Sequence, residues 1–321
     1  MQQETLLADL LERVRAGDRG ALARAFSLLE RAPELWRWES EGNAAGSFVV
    51  AVAGPPGAGK STLLGAIARA LSFRDMSCGI VAFDPASPRS GGALLGDRIR
   101  MLDAAALPNV FVRSVAARDP VGTGTAALPV LLALLELYGF DFVFLESVGA
   151  GQEATPLLAL ADSVLLVSAP GLGDSVQILK AGVLELADIV IVNKADRPGA
   201  DELARELTAY FRFVAAPTEE PTTVLRTVAT EERGIEDVLE ALAARRERAL
   251  RTGMLRTRRR SRLVRFLQAR LRERCLRAID DLVAELLHDD SDGVATPVTE
   301  GALLRMVVQR LASWLDDEAA R

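Results

Sequence analysis

Residues 54–61, GPPGAGKS, have the composition and spacing of a loop that binds phosphate groups. They follow the apolar run SFVVAVA, and a glycine-rich turn between a strand and a helix directs backbone N–H groups to one point at the helix N-terminus. The lysine of such a loop reaches the β- and γ-phosphates of a nucleotide, and the hydroxyl after it can ligate Mg²⁺. A glycine-rich turn without a ligand is the alternative. The predicted phosphate-binding residues are Gly54, Gly57, Ala58, Gly59, Lys60, Ser61 and Thr62.

The sequence NKAD at 193–196 indicates which base the nucleotide carries. It closes the apolar run DIVIV, so Asn193 and Asp196 should project from the carboxyl end of a strand. A carboxylate there accepts hydrogen bonds from N1–H and the exocyclic amine of guanine, a donor pair that adenine does not offer. The stem of Lys194 can lie along the base, and Val228 and Ala229 are either a backbone contact to the base oxygen or part of an ordinary loop. The pattern favours GTP and GDP over ATP.

Carboxylates at strand ends are the candidates for a Mg²⁺ site. Glu146 ends the run FDFVFLE, and the N–H of Gly149, three residues later, can contact the γ-phosphate. Asp84 ends GIVAFD and Asp97 lies in LLGDRIRM, although each of these acids could instead cap a helix or sit in a surface turn. Gln152 could orient the attacking water, but its distance from Gly149 is unusual. The predicted metal ligands are Ser61, Asp84, Asp97 and Glu146, and the predicted catalytic residues are Lys60, Asp97, Glu146 and Gln152.

The elements that position these residues alternate between apolar runs and segments of helix length. From residue 47 to about 230 the apolar runs are rich in Val, Ile and Phe, and they include GIVAFD, NVFVRS, DFVFLE, SVLLVSAP and DIVIVNKAD. Such alternation predicts an α/β fold with a mostly parallel, doubly wound sheet, and GPPGAGKS together with NKAD predicts that this fold is of the P-loop GTPase kind. Acidic or polar residues end these runs, on the edge where open α/β sheets bind ligands.

Helical segments flank the alternating region. Apolar residues at three- and four-residue spacing over 4–38, on either side of AGD, predict two short helices. Residues 245–277 contain fourteen arginines and two acids, and the apolar stripe from Val264 to Leu286 predicts one long amphipathic helix with a basic face. The segment DDSDGVATP ends it, and a final helix is expected over 299–317. We therefore predict an N-terminal helical segment at 1–43, a nucleotide-binding domain at 44–244 and a C-terminal helical arm for dimerisation at 245–321.

The charge and the cysteine content restrict the partners and the compartment. The net charge of −6 is the sum of +12 over residues 245–277 and −18 over the rest of the chain. A body this acidic opposes a nearby polyanion, and Phe266 is the one aromatic residue among the arginines, so nucleic acid is disfavoured against a solvated or subunit-facing arm. Two cysteines give no disulfide framework, the N-terminus does not resemble a signal peptide and no apolar stretch reaches membrane length, which predicts a cytoplasmic protein.

Several segments, taken in order, resemble the MeaB-like family of P-loop GTPases, which are chaperones of adenosylcobalamin-dependent acyl-CoA mutases. The resemblance covers residues 10–240 and is carried by AGDRGALARAFSLLE, GPPGAGKST, FDPASPRSGGALLGDRIRM, FLESVGAGQ, PGLGDSVQILKAG and ELADIVIVNKAD. It implies slow GTP hydrolysis, a homodimer built from C-terminal helices, and gating of cofactor loading on a mutase of the methylmalonyl-CoA type. It also implies a cobalamin adenosyltransferase as a further partner.

The resemblance further implies three switch segments, at 84–101, 146–156 and 169–180. The last would couple to the mutase through Asp174, Gln177 and Lys180, although from the residues alone a lysine such as Lys180 is more often a plain surface charge. Ser147 and the segments GQEAT and GDSVQ depart from the usual family forms. A metallochaperone-type GTPase is disfavoured by the single histidine and the two distant cysteines, and a P-loop kinase linked to amino-acid transport is disfavoured by NKAD.

Overall fold

The structure is a computed structural model that describes residues 2–37, 47–85, 101–117, 127–147, 155–172, 184–214, 222–289, 301, 304–309 and 312–313. By backbone contacts the chain divides into two compact units, Met1–Arg262 and Leu263–Arg321. The three segments predicted from the sequence remain a prediction about domains. Within the residues described, no helix is long and apolar enough to cross a membrane.

The described strands form one seven-stranded parallel sheet. In chain order they are β1 Phe48–Ala53, β2 Cys78–Pro85, β3 Val110–Ala117, β4 Phe142–Glu146, β5 Ser163–Ser168, β6 Ile189–Val192 and β7 Thr223–Arg226. Their order in the sheet is β3-β2-β4-β1-β5-β6-β7, and every recorded pairing is parallel. Parallel neighbours need crossover connections, which the intervening helices supply. The predicted α/β class with a mostly parallel, doubly wound sheet is confirmed.

The central strand β1 brings the predicted phosphate loop beside the predicted metal ligand. It lies between β4 and β5, with Val52 in register with Glu146 and Ala53 in register with Leu166. All six residues of β1 are buried, as expected for a strand covered on both faces, and this explains its unbroken apolar sequence. Because the strands run in one direction, the residues that follow β1, β4 and β6 meet at one edge of the sheet.

The described α-helices follow the predicted alternation. They are α1 Gln2–Arg15, α2 Arg19–Arg31, α3 Lys60–Ser72, α4 Leu102–Ala105, α5 Leu128–Tyr138, α6 Thr155–Leu158, α7 Ala200–Val214, α8 Ile235–Arg251 and α9 Met254–Asp289. The two predicted N-terminal helices are confirmed, since α1 and α2 flank AGD. Asp18 caps α2 by accepting from the Ala21 N–H at 3.0 Å. That hydrogen bond, together with one from Arg13, holds the pKa of Asp18 below its usual value.

The arginine-rich stretch forms parts of two helices and not one. Helix α8 ends at Arg251 and α9 begins at Met254, with Thr252 and Gly253 between them. The long amphipathic helix predicted from the stripe Val264 to Leu286 is confirmed as α9, but this helix begins at Met254, and the arginines from 245 to 251 belong to α8. In α9 the stripe residues Val264, Leu267, Leu271 and Ile279 are each 43–47% exposed. Residues 304–309, within the predicted final helix, are helical.

Three aspartates, Asp141, Asp162 and Asp188, each directly precede a strand, and we call them the amino-edge aspartates. In each, one carboxylate oxygen accepts from a backbone N–H of a neighbouring segment. The donors are Ser77 at 2.9 Å to Asp141, Val49 at 2.9 Å to Asp162 and Val164 at 2.8 Å to Asp188. These hydrogen bonds tie the starts of adjacent strands together at the edge opposite the predicted nucleotide site.

The other oxygen of each amino-edge aspartate binds an arginine of α8 or α9. The pairs are Arg246 with Asp141 at 3.3 Å, Arg262 with Asp162 at 2.9 Å and Arg245 with Asp188 at 2.9 Å. Arg262 is buried and also donates to Glu136 of α5 and to the carbonyl of Leu160. These arginines bind their own chain, which differs from the expectation of a basic face directed to solvent or to another subunit.

Candidate nucleotide site

The carboxyl ends of β1, β4 and β6 bring together the residues predicted to bind the nucleotide. Gly54 follows β1, Glu146 is the last residue of β4, and Asn193 follows β6. The side chain of Asn193 donates to the carbonyl of Ala58 at 2.9 Å, so the NKAD segment contacts the phosphate loop directly. Two motifs that lie far apart in the sequence thus form one site, as the prediction of a parallel sheet required.

The glycines of the phosphate loop are required by its geometry. Gly59 has φ 91° and precedes α3, which no side chain caps. A Cβ at Gly59 would lie 2.4 Å from the Asn193 amide nitrogen, and a Cβ at Gly54, with φ 154°, would lie 2.1 Å from the Val167 carbonyl oxygen. Any side chain at either position would push the loop away from β5 or β6. Because the N-cap residue Gly59 has no side chain, it supplies no acceptor to the first turn of α3, and the N-terminus of a helix is a position where backbone N–H groups can bind phosphate.

Lys60 lies folded over the phosphate loop. Its Nζ donates to the carbonyl of Gly54 at 2.9 Å and to that of Pro55 at 3.4 Å, and the residue is buried. The Ala58 N–H, a predicted phosphate ligand, donates to the Pro55 carbonyl at 3.2 Å. The Lys60 ammonium is therefore held within the loop, where it can exchange carbonyl contacts for phosphate oxygens.

Ser61 and Glu146 supply oxygen ligands of the type that Mg²⁺ binds. The Ser61 hydroxyl donates to Glu146 Oε1 at 2.8 Å, and both residues are buried. A hydroxyl and a carboxylate beside a phosphate loop fit Mg²⁺, which takes a few protein oxygens together with substrate phosphates. When bound, the ion would neutralise charge that develops on the β- and γ-phosphate oxygens. Thr62 follows in α3 and is half-buried.

The base-binding segment is arranged around the buried side chain of Asn193. Lys194 has φ 55° and its Nζ donates to the Gly57 carbonyl at 2.7 Å, while Asp196 is exposed. Val228 and Ala229 are buried, and the Ala229 N–H donates to Asn193 Oδ1 at 3.2 Å. In this structure the Ala229 N–H supports Asn193, whereas the sequence left open whether Ala229 contacts the base oxygen or belongs to an ordinary loop.

Sequence reasoning missed Thr227, whose hydroxyl donates to Asn193 Oδ1 at 3.0 Å. Its signal was a hydroxyl residue at the end of the run TTVLRT, directly after β7. That signal was weak, because only the pairing of β7 with β6 brings the end of this run beside NKAD.

Several predicted site residues cannot be placed by the structure. Asp84 is the next-to-last residue of β2 and pairs with Ala116 of β3, but only its backbone is described. The remaining predicted residues lie outside the described residues, and they are Asp97, Gly149, Gln152, Asp174, Gln177 and Lys180. Their roles stay predictions.

The described residues give no support to a soft-metal site. Among them no group of three or more His, Cys, Asp or Glu side chains is placed to hold a metal ion. Burial, with a smaller contribution from the charge of Asp141, raises the pKa of the Cys78 thiol to about 12. Because a thiolate is the metal-binding form, Cys78 is a poor ligand at neutral pH.

The fold and site define a P-loop protein that binds guanine nucleotides, and comparison with known proteins identifies the family. Residues 24–282 match the family model described as methylmalonyl-CoA mutase-associated GTPase MeaB, so the chain belongs to the MeaB family and is a GTPase.

Individual relatives agree with this assignment. A putative GTPase of Pyrococcus abyssi is 41% identical over 267 residues, which is 80% of this chain and 82% of the relative. A fused isobutyryl-CoA mutase of Cupriavidus metallidurans is 38% identical over 204 residues, covering 61% of this chain and 19% of that protein. The crystal structure of a LAO/AO transport system kinase is similar in fold, with a TM-score of 0.66 at 23% identity, over 96% of this chain and 98% of that chain.

Replacing Asp196 with asparagine should change the preferred base. A carboxylate at this position would accept two hydrogen bonds from guanine, whereas an amide offers one acceptor and one donor, which suits the second carbonyl of xanthine. We expect Asp196→Asn to weaken GDP binding at least 100-fold and to favour XDP over GDP. Competition of GDP, XDP and ADP for a fluorescent nucleotide measures this, with the exposed Asp201→Asn as a control. If Asp196→Asn left GDP affinity unchanged, Asp196 would not contact the base.

Proposed function

We propose that this GTPase is a chaperone of an adenosylcobalamin-dependent acyl-CoA mutase of the methylmalonyl-CoA type, that it gates cofactor loading, and that it protects or reactivates the mutase. The observation that carries the proposal is the match to a protein named fused isobutyryl-CoA mutase. There, a segment 38% identical to this GTPase occupies 19% of a chain named for an acyl-CoA mutase. The description of the matched family as mutase-associated points the same way.

The proposal includes the chemistry of GTP hydrolysis. Ser61 and Glu146 would hold Mg²⁺, with Asp84 and Asp97 as further acids, and Lys60 would bind the γ-phosphate. Gly149 would contact the γ-phosphate and Gln152 would orient the attacking water. An arginine that stabilises the transition state is worth about 10³–10⁵ in rate. Since no sequence motif fixes such an arginine here, hydrolysis by the protein alone should be slow.

Coupling to the mutase is assigned to the segment 169–180, with Asp174, Gln177 and Lys180 as its contact residues. This segment begins where β5 ends, and the carbonyl of Ser168 accepts from the Asn193 N–H at 2.8 Å. Its first residue therefore adjoins the nucleotide site. If nucleotide and mutase favour the same arrangement of the segment, each raises the binding affinity of the other, because binding linkage is reciprocal.

We also propose a cytoplasmic homodimer, with a cobalamin adenosyltransferase as a further partner. The dimer is supported by the apolar stripe of α9, in which Val264, Leu267, Leu271 and Ile279 are exposed and repeat at helical spacing. A second copy of the same helix would cover this stripe. Light scattering of the full chain should give twice the mass of 34.4 kDa, and a monomeric mass would remove this part of the proposal.

The chaperone proposal predicts that mutase changes the rate of GTP hydrolysis. An acyl-CoA mutase purified from the same cells should accelerate phosphate release, and Lys180→Ala should weaken this acceleration while the basal rate stays within about 2-fold. Arg212→Ala, an exposed arginine on α7, serves as the surface-charge control. Capture from the native extract with a non-hydrolysable GTP analogue complements the assay. Recovery of a hydrogenase, urease or transporter subunit, with no mutase and no stimulation, would overturn the chaperone role and leave the GTPase assignment intact.

A further inference from the structure

The side chain of Asn193 joins three segments of the nucleotide site. Its amide nitrogen donates to the carbonyl of Ala58 in the phosphate loop at 2.9 Å. Its amide oxygen accepts from the Thr227 hydroxyl at 3.0 Å and from the Ala229 N–H at 3.2 Å. An amide oxygen has two lone pairs, so both are used, and the residue is only 2% exposed. The orientation of this amide is therefore set by the two donors that face its oxygen.

Thr227 is itself held at both ends by backbone hydrogen bonds. Its N–H donates to the carbonyl of Val192 at 3.0 Å, and its carbonyl accepts from the Ala195 N–H at 3.0 Å. The residue is 1% exposed. The first hydrogen bond extends the pairing of β7 with β6, and the second reaches into the NKAD segment. The hydroxyl thus approaches Asn193 from a fixed backbone.

We infer that Thr227 is a positioning residue for guanine nucleotide binding, acting through the Asn193 amide. By donating to Oδ1 it helps to keep the amide nitrogen toward Ala58, and so maintains the spacing between the phosphate loop and the NKAD segment. That spacing is tight, since a single added Cβ at Gly59 would lie 2.4 Å from the same nitrogen. Lys194 adds a second link, from its Nζ to the Gly57 carbonyl at 2.7 Å. Phosphate and base must be bound together, so a change in this spacing weakens the binding of the whole nucleotide.

Thr227→Val tests the inference, because valine has nearly the same shape and lacks the hydroxyl. One donor to a buried amide oxygen is lost, and we expect the Kd for GDP and the KM for GTP to rise about 10-fold. The hydroxyl serves bound substrate and transition state alike, so kcat should stay within about 2-fold. Thr227→Ser retains the donor and should restore GDP binding to within about 3-fold of the native protein.

Thr222→Val is the matched control. The Thr222 hydroxyl donates to the Ala187 carbonyl at 2.9 Å at the other end of β7, away from the nucleotide edge. It should leave GDP affinity unchanged. Titration with a fluorescent GDP analogue, steady-state kinetics and the thermal midpoint of the nucleotide-free protein are measured for all four proteins. An unchanged GDP affinity in Thr227→Val would overturn the inference, as would an equal loss in Thr222→Val or a fall in kcat that Thr227→Ser does not rescue. If Thr227→Val does not fold, Thr227→Ala and Thr227→Ser are compared by the same criteria.

Discussion

Lys60→Ala should reduce GTP hydrolysis by at least about 10³-fold while the protein remains folded. The Nζ of Lys60 lies within the phosphate loop, bound to the carbonyls of Gly54 and Pro55. In phosphate loops of this pattern the lysine ammonium binds the β- and γ-phosphates, and Lys60 is predicted to do so here. Removing one preorganised donor from a site of developing charge costs about 10²–10³ in kcat, and a buried full charge contributes more.

The measurement is phosphate release under single-turnover conditions, with GTP well above the Kd of the variant. Lys60→Arg separates charge from position, because its planar guanidinium keeps the charge and cannot reproduce the point contact of an ammonium. We expect Lys60→Arg to be impaired nearly as much. Residual turnover above about a tenth of the native rate in Lys60→Ala would place the γ-phosphate elsewhere.

Arg262→Met should lower the free energy of unfolding by about 3–5 kcal/mol, because it leaves the buried carboxylate of Asp162 without its partner. Arg262 binds Asp162 at 2.9 Å, and both side chains are almost fully buried. The same arginine also donates to Glu136 and to the Leu160 carbonyl, so its loss leaves three acceptors behind. Urea denaturation followed by circular dichroism of the full chain measures the change.

Two further variants distinguish this explanation from a general effect of losing an arginine. Arg256→Met removes an exposed arginine of the same helix, and it should change stability by less than about 0.5 kcal/mol. Asp162→Asn combined with Arg262→Met removes the unpaired charge but keeps an acceptor for the Val49 N–H, so it should recover part of the loss. Equal stability of the single and double variants would show that the charge on Asp162 is not the cause.

The residues that could be predicted from the sequence are those defined by local pattern. GPPGAGKS and NKAD each follow an apolar run, and a parallel sheet places the ends of such runs at one edge. The sequence therefore predicts that the two motifs lie close together, and the hydrogen bond from Asn193 to Ala58 joins them. Thr227 could not be predicted, because its contact with Asn193 depends on the pairing of β7 with β6. A threonine at the end of an apolar run does not by itself indicate a nucleotide site.

The arginine contacts also could not be predicted, for a different reason. A run of arginines on an amphipathic helix is usually solvated, and nothing in residues 245–262 shows which of them face the sheet. The partners lie 105 residues away for Arg246 and 100 residues away for Arg262. These pairs depend on the placement of α8 and of residues 254–262 of α9 at the amino edge, on either side of the break at Thr252 and Gly253, which the apolar periodicity did not reveal.

The amino-edge aspartates have a consequence for folding during synthesis. At about 5–20 residues per second, Asp141 leaves the ribosome's catalytic centre about 5–20 s before Arg246 is made, because 105 residues separate them. The interval between the synthesis of Asp162 and that of Arg262 is almost as long, because 100 residues separate them. Until then the carboxylates of Asp141 and Asp162 have uncharged donors from the sheet, which are the Ser77 N–H and hydroxyl for Asp141 and the Val49 N–H for Asp162. The nucleotide edge needs the chain up to Ala229, whereas the opposite edge also needs Arg262, so the opposite edge is completed later in translation.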